Sequence, residues 1–367
     1  MRTTADPQLA AEADEIAARA EPELDQLVAI SSPSGDIEGA ERALALCATL
    51  LPGGAHVERP ACSTPGGAPD LIGRVSGTGS RRLMLLGHVD TVIAHADHQP
   101  LRPAGERLYG SGTADMKGGD ILALGVVRAL ARNPESFAEV AVLLVTDEEW
   151  RVAPFVHTAR FAGYDACLCF EAGERTADGA EGVVVRRKAA GTLRVLATGE
   201  ASHSGSAPDR GRNALLALAK VAAAVAALHD PQGPDQLSAV PTVMRSGEAF
   251  NVVPAAGELI FDLRARRLAA FDEVFAQIPA ELDGVKLEPS MERKWPGMDS
   301  AAATAGLIAE ASTRLGRPIT GVLRGGASDA SHFAQAIALT VDGLGPRGGG
   351  AHTPGEFVLR RALRERA

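Results

Sequence analysis

Apolar and polar positions along this chain fall into two textures. The first runs from residue 7 to about 180 and resumes after Pro296. In it, amphipathic stripes alternate with short apolar runs. Residues 7–30 place Leu9, Ile16, Leu24, Leu27 and Ile30 on one helical face. Further helices are expected at 37–51, stopped by Pro52-Gly53-Gly54, and at 117–132, 152–162, 301–315 and 330–336, with a last one starting near Glu356. Between them, continuous apolar runs at 82–90, 142–145 and 166–170 read as strands buried on both faces, the pattern of a parallel sheet. Shorter strands are expected at 70–74 and 338–342, and 91–108 reads as a long polar loop. The second texture spans 182–289, where strand-like stretches with charged flanks surround two helical ones at 211–229 and 268–281. The order β-β-α-β-β-α-β predicts a small antiparallel sheet with two helices on one face. The fold class is therefore α/β: residues 1–180 and 294–367 form one domain with a mixed, mostly parallel sheet and flanking helices, and 181–293 form an inserted α+β domain.

The buried runs end in chemistry. One ends at His88-Val89-Asp90, the next at Thr146-Asp147-Glu148-Glu149, the third at Phe170-Glu171. In open α/β sheets, ligands sit at the carboxyl ends of the strands. A turn that needs only solubility does not need three adjacent carboxylates that repel one another. His88 and Asp90 are two apart, so they point to the same side of a strand, and a carboxylate beside a histidine can fix its tautomer. Asp115 follows the glycine-rich turn Gly110-Ser111-Gly112 and precedes a helix, where a plain N-cap is the competing role. With Glu149, Glu171 and His352, these residues offer two imidazoles and three carboxylates. That is a suitable set for two zinc ions sharing one carboxylate, with cobalt or manganese as less selective alternatives.

Composition narrows the partners. A net charge of −9 without a run of Lys or Arg argues against nucleic acid and anionic membranes. No apolar run reaches membrane-spanning length, and the N-terminal stretch lacks the layout of a signal peptide, so a cytoplasmic location is expected. Cys47, Cys62, Cys167 and Cys169 make neither a zinc-ribbon spacing nor a disulfide framework and read as small buried hydrophobes. Gly110-x-Gly112 is no dinucleotide fingerprint, because Asp115 stands where the third glycine belongs.

The motifs Leu86-Gly87-His88-Val89-Asp90, Tyr109-Gly110-Ser111-Gly112-Thr113-Ala114-Asp115-Met116-Lys117-Gly118-Gly119, Thr146-Asp147-Glu148-Glu149, Phe170-Glu171 and the loop around His352, in that order, resemble the dinuclear zinc metallopeptidases. That family includes carboxypeptidase G-type glutamate carboxypeptidases, aminoacylases, acetylornithine deacetylase and succinyl-diaminopimelate desuccinylase. The resemblance implies a zinc domain carrying an inserted lid through which two chains dimerise. It implies that His88 and Glu171 hold one zinc ion, that Glu149 and His352 hold the other, and that Asp115 bridges them through a residue whose following peptide bond is cis. Glu148 would be the general base and Asp90 would orient His88. In the inserted domain the resemblance gives His203 the oxyanion, and Asn251 and Arg264 the substrate carboxylate, with Arg324 and Gly326 of a glycine-rich segment as further contacts. The activity implied is release of a C-terminal amino acid from a small peptide-like substrate with a free carboxylate, by a zinc-bridged hydroxide. The alternative is an N-acyl-amino-acid deacylase of the acetylornithine or succinyl-diaminopimelate type.

Overall fold

A computed structural model describes residues 6–367. The chain divides into two compact units: one of residues up to Arg186 with Asp299–Arg324 and Ser328–Ala367, the other of Arg187–Met298 with Gly325–Ala327.

In the first unit a six-stranded sheet has the order His56–Glu58, Leu71–Ser76, Glu139–Val145, Arg82–His88, Ala166–Cys169, Leu339–Val341. The last four strands are parallel to one another, and the first two are added antiparallel. Three helices precede or cross over its central strands: α1 (Pro7–Val28), α2 (Ile37–Thr49) and α3 (Gly118–Ala131). Asp6 and Asp36 cap the first two by accepting from the backbone N–H of Gln8 and Gly39, which satisfies donors that a helix start leaves without partners. Leu24 and Leu27 of α1, Leu44 of α2 and Leu124 and Val127 of α3 share one buried cluster with Leu85 and Val142 of the sheet. Each fully buried side chain of this kind contributes about 1.5–3 kcal/mol.

In the second unit a fully antiparallel sheet runs Ser238–Ser246, Ala256–Ala265, Ala189–Thr198, Val285–Trp295, Glu281–Leu282. Alternate residues Leu259, Phe261 and Leu263 are buried, as a strand with one covered face requires. Helices α4 (Ala214–Ala226) and α5 (Ala269–Phe275) cover that face, burying Leu218, Val221, Phe271 and Val274 in the same cluster. The chain re-enters the first unit with α6 (Ala301–Arg314), then α7 (Ala330–Phe333) and α8 (Arg360–Glu365). All four cysteines are buried and free, and no helix among the described residues is long and apolar enough to cross a membrane.

Several local expectations need correction. The helix expected at 152–162 is only a 3-10 turn, Thr158–Phe161. Pro154 lacks a donor, and the extended stretch is tied down instead by Val156 N–H donating to Ser63 Oγ and by His157 against Asp70. The polar loop 91–108 contains two short strands, Arg102–Ala104 and Arg107–Tyr109. The last helix begins at Arg360 because Phe357–Leu359 pairs with Arg107–Tyr109. The strand Ile319–Arg324 was not expected, and it lies beside Glu181–Arg187.

Candidate metal centre

Three parallel strands finish at one edge of the large sheet, and this is what gathers the site. Arg82–His88 ends in His88, Glu139–Val145 leads into Asp147-Glu148-Glu149, and Ala166–Cys169 leads into Glu171. Gly87 is required by close packing: an added Cβ would run into the carboxylate of Asp120 on α3. Gly119 is required for the same kind of reason, because a Cβ there would meet the carbonyl of Phe170. The start of α3 can therefore press against the strand ends, which brings Asp115 over them. The Asp115–Met116 peptide bond is cis.

His352 arrives from a separate four-stranded sheet, ordered Gly348–Gly349, Phe357–Leu359, Arg107–Tyr109, Arg102–Ala104. The hairpin loop 350–356 is thereby fixed to the strand that precedes the Asp115 turn. Glu356 locks the two together. Its carboxylate accepts from the backbone N–H groups of Gly112 (2.8 Å), Ala114 (2.7 Å) and Asp115 (2.9 Å). Burial pushes the Glu356 carboxyl up to about 7 against the pull of those three donors.

The five expected ligands converge. His88 Nε2 lies 3.2 Å from Asp115 Oδ1 and 3.7 Å from Glu171 Oε1. His352 Nε2 lies 3.0 Å from Asp115 Oδ2 and 3.0 Å from Glu149 Oε1. One ring hydrogen serves one acceptor; it goes to Asp115, and buried Glu149 Oε1 is left without a hydrogen-bond donor among the described residues. His88, Asp115 and Glu149 each offer one ligand atom, all within 4.8 Å of one another. An unsatisfied carboxylate oxygen amid nitrogen and oxygen donors aimed at one space suits a divalent cation. Asp90 supports the group from behind. Its Oδ1 lies 3.4 Å from His88 Nδ1, and its two oxygens accept from the backbone N–H of Glu148 (3.2 Å) and Glu149 (3.0 Å). A single carboxylate thus ties two strand ends together.

The titrations follow from this crowding. Burial works against charge on His88, but hydrogen bonds to Asp115 and Asp90 outweigh it and hold the imidazolium well above its ordinary range. The hydrogen bond to Asp115, with the Glu149 carboxylate 3.0 Å away, pushes His352 up to about 10. Burial would raise Asp115, yet its bonds to His352 and His88 hold it far below the usual carboxylate range. Glu148, enclosed and set among Asp329, Glu171 and Glu149, is raised well above its ordinary value by burial first; His88 opposes the shift.

Arg151, Asp147 and Asp329 form a supporting network that sequence reasoning missed. Arg151 is fully buried and bonds Asp147 (2.8 Å) and Asp329. Asp147 also accepts from Thr64 N–H at 2.8 Å. The residue immediately before Glu148 is thereby fixed on both sides.

The residues expected to contact substrate lie elsewhere in the chain. His203 is bridged to Val252 in the second unit, and its Nδ1 accepts from Gly205 and Ser206 N–H at 3.1 Å. Asn251 is exposed and its backbone carbonyl accepts from Ser204 N–H. Arg264 forms a two-pronged pair with Asp262, both contacts at 3.0 Å. In the first unit the Arg324 guanidinium is committed to Glu174 and the Ala172 carbonyl, each at 2.8 Å. Gly326 offers its carbonyl to Arg187 at 2.9 Å.

An α/β unit with a cation-binding cluster at the carboxyl ends of its strands, joined to an antiparallel unit, is the architecture of a metallopeptidase. The chain belongs to peptidase family M20/M25/M40, whose model matches residues 84–367. It is 28% identical over 362 residues to carboxypeptidase G2 of Pseudomonas sp. (strain RS-16), covering 94% of this chain and 85% of that protein. It is 29% identical over 303 residues to the succinyl-diaminopimelate desuccinylase of Halorhodospira halophila, covering 77% of this chain and 79% of that one. Its fold matches an M20 family metallo-carboxypeptidase, Sso-CP2 from Sulfolobus solfataricus, with a TM-score of 0.73 over 95% of this chain and 96% of that one, at 14% identity. The protein is therefore a hydrolase of this family.

Proposed function

We propose that this hydrolase cleaves an amide bond and releases a C-terminal amino acid, as a glutamate carboxypeptidase does. The observation that carries the reading is the convergence of His88, Asp115, Glu149, Glu171 and His352 around one space with Glu148 set among the same charges. Two zinc ions would be held there, one by His88 and Glu171, one by Glu149 and His352, with Asp115 between them. Bound metal supplies Lewis acidity, which lowers the pKa of water and polarises a carbonyl. The chain supplies the proton transfers. Glu148 takes a proton from the attacking water and delivers it to the departing nitrogen; its burial raises its proton affinity, which is what a base needs. Asp90 orients His88 and fixes the backbone of Glu148 and Glu149. We assign the oxyanion to His203, and the substrate carboxylate to Asn251 and Arg264, whose planar fork matches a carboxylate once it leaves Asp262. Contacts from Arg324 or Gly326 would have to displace Glu174 or Arg187. The second unit serves as the surface through which two chains pair.

The likeness to a succinyl-diaminopimelate desuccinylase favours a second reading, removal of an acyl group from an amino acid. Both readings use the same proton transfers and differ in which side of the amide is recognised. A panel of peptidyl-glutamates, peptidyl-leucines, N-succinyl- and N-acetyl-amino acids separates them. Highest kcat/KM on peptidyl-glutamates is expected; a preference of about tenfold or more for N-succinyl or N-acetyl substrates would establish the deacylase instead.

A further inference from the structure

The first unit contains a second cleft, of about 500 Å³, walled by residues of α1, α3, α6 and the sheet edge. Ile16, Leu130, Phe170, Ile308, Val341 and Leu344 line it. It lies where the apolar interior of this unit is divided. Ile16 and Phe170 belong to the large cluster under α1 and α3, whereas Val341, with Val183 and Val185, forms a separate small one. Leu9 and Leu307, both on its lining, are about two-fifths exposed. The volume is that of a small-molecule site, several times that of a cavity that takes up benzene.

Glu181, Arg317, Glu365 and Arg366 of the wall belong to one connected cluster, with Arg175 and Arg347 beside it. Glu181, nearly fully buried, receives Arg175 (2.7 Å), Arg347 (2.6 Å) and Arg366 (3.2 Å). Glu365 receives Arg347 through its carboxylate and Arg317 through its carbonyl. Arg175, Arg347 and Arg366 thus share the carboxylates of Glu181 and Glu365, whereas Arg317 reaches only the Glu365 carbonyl. Arg317 Nε is buried with no hydrogen-bond partner among the described residues. Burial, with neighbouring arginines, holds Arg317 and Arg347 below the usual arginine range and brings Arg366 down to about 10. Arg317, half-buried and meeting no carboxylate among the described residues, favours an anionic group.

We propose that this cleft binds a medium-chain aliphatic carboxylate, its chain against the apolar wall and its carboxylate on Arg317. The site is separate from the metal centre, sharing none of the residues gathered there. A fatty-acid-like molecule held there would bridge α6 to α1 and α3, which all contribute to the lining.

The test uses the full metal-loaded chain and titrates decanoate and decanol by calorimetry below their aggregation limits. One decanoate per chain is expected, with decanol weaker by about tenfold or more. Arg317→Gln should weaken decanoate by about tenfold while leaving decanol and hydrolysis unchanged. Ala129→Phe, which fills the cleft from α3, should abolish binding of both. Absence of saturable decanoate binding, equal affinity for decanol, or decanoate binding unmoved by Arg317→Gln would each overturn the proposal. Because Arg317→Gln leaves the apolar wall intact, the proposal stays testable even if Ala129→Phe misfolds.

Discussion

A histidine pinned between carboxylates keeps its proton until something better charged replaces it. His352 sits 3.0 Å from both Asp115 and Glu149 and is pushed up to about 10; His88 is likewise held high by Asp115 and Asp90 against the cost of burial. Both rings therefore hold a proton more tightly in the metal-free chain than a free imidazole does. A cation that binds their nitrogens must expel those protons, so its affinity is lost as pH falls and gained as pH rises through the neutral range. Calorimetry in buffers of different ionisation heat should show protons released on zinc binding; heats independent of the buffer would contradict this picture of the two histidines. Glu148 belongs to the same charge cluster but holds no expected ligand position. Glu148→Gln should lower kcat about 10²–10⁴-fold and leave metal content intact. Near-normal turnover in that variant would remove Glu148 from the chemistry.

At the level of elements, the site is an arrangement of strand ends braced by a loop clamp. Glu356 accepts three backbone N–H groups of the Asp115 turn and couples that turn to the His352 hairpin. Glu356→Ala would orphan those donors, costing about 1–3 kcal/mol in stability, and should weaken zinc binding about 10–100-fold. Thermal unfolding and a competition titration read the two effects, and unchanged zinc affinity would show that the clamp does not set ligand geometry. The strand ends were legible in the sequence because parallel strands buried on both faces are uninterrupted apolar runs, so an abrupt His-x-Asp or Asp-Glu-Glu stands out. Glu356 was not legible. A carboxylate that serves backbone donors far away in the chain leaves no spacing, and from the sequence Glu356 reads as the start of a helix. The three-residue strand Phe357–Leu359 escaped notice for the same reason, since its partner Arg107–Tyr109 lies about 250 residues earlier in the chain and only tertiary pairing reveals it. Arg151 carries no pattern of its own in the sequence, and its burial against Asp147 and Asp329 is set by the distant segment that carries Asp329.

For the whole molecule, the alternation of textures along the chain anticipated an α/β fold with an antiparallel insertion, and the sheets have those two characters. Pairing direction follows from whether one face or both faces of a strand are covered, which is why composition along each run carried the information. Substrate choice is a different matter, because the side chains proposed for it, Arg264 and Arg324, have acidic neighbours as their present partners. What the account depends on is that five side chains spread from residue 88 to residue 352 form one cation site. The most direct measurement is metal content by plasma mass spectrometry after exhaustive dialysis, for the native chain and for Asp115→Ala. Two zinc ions per native chain, and a loss of both in Asp115→Ala, are predicted; a native chain that retains no metal, or a variant that retains as much as the native chain, would contradict it.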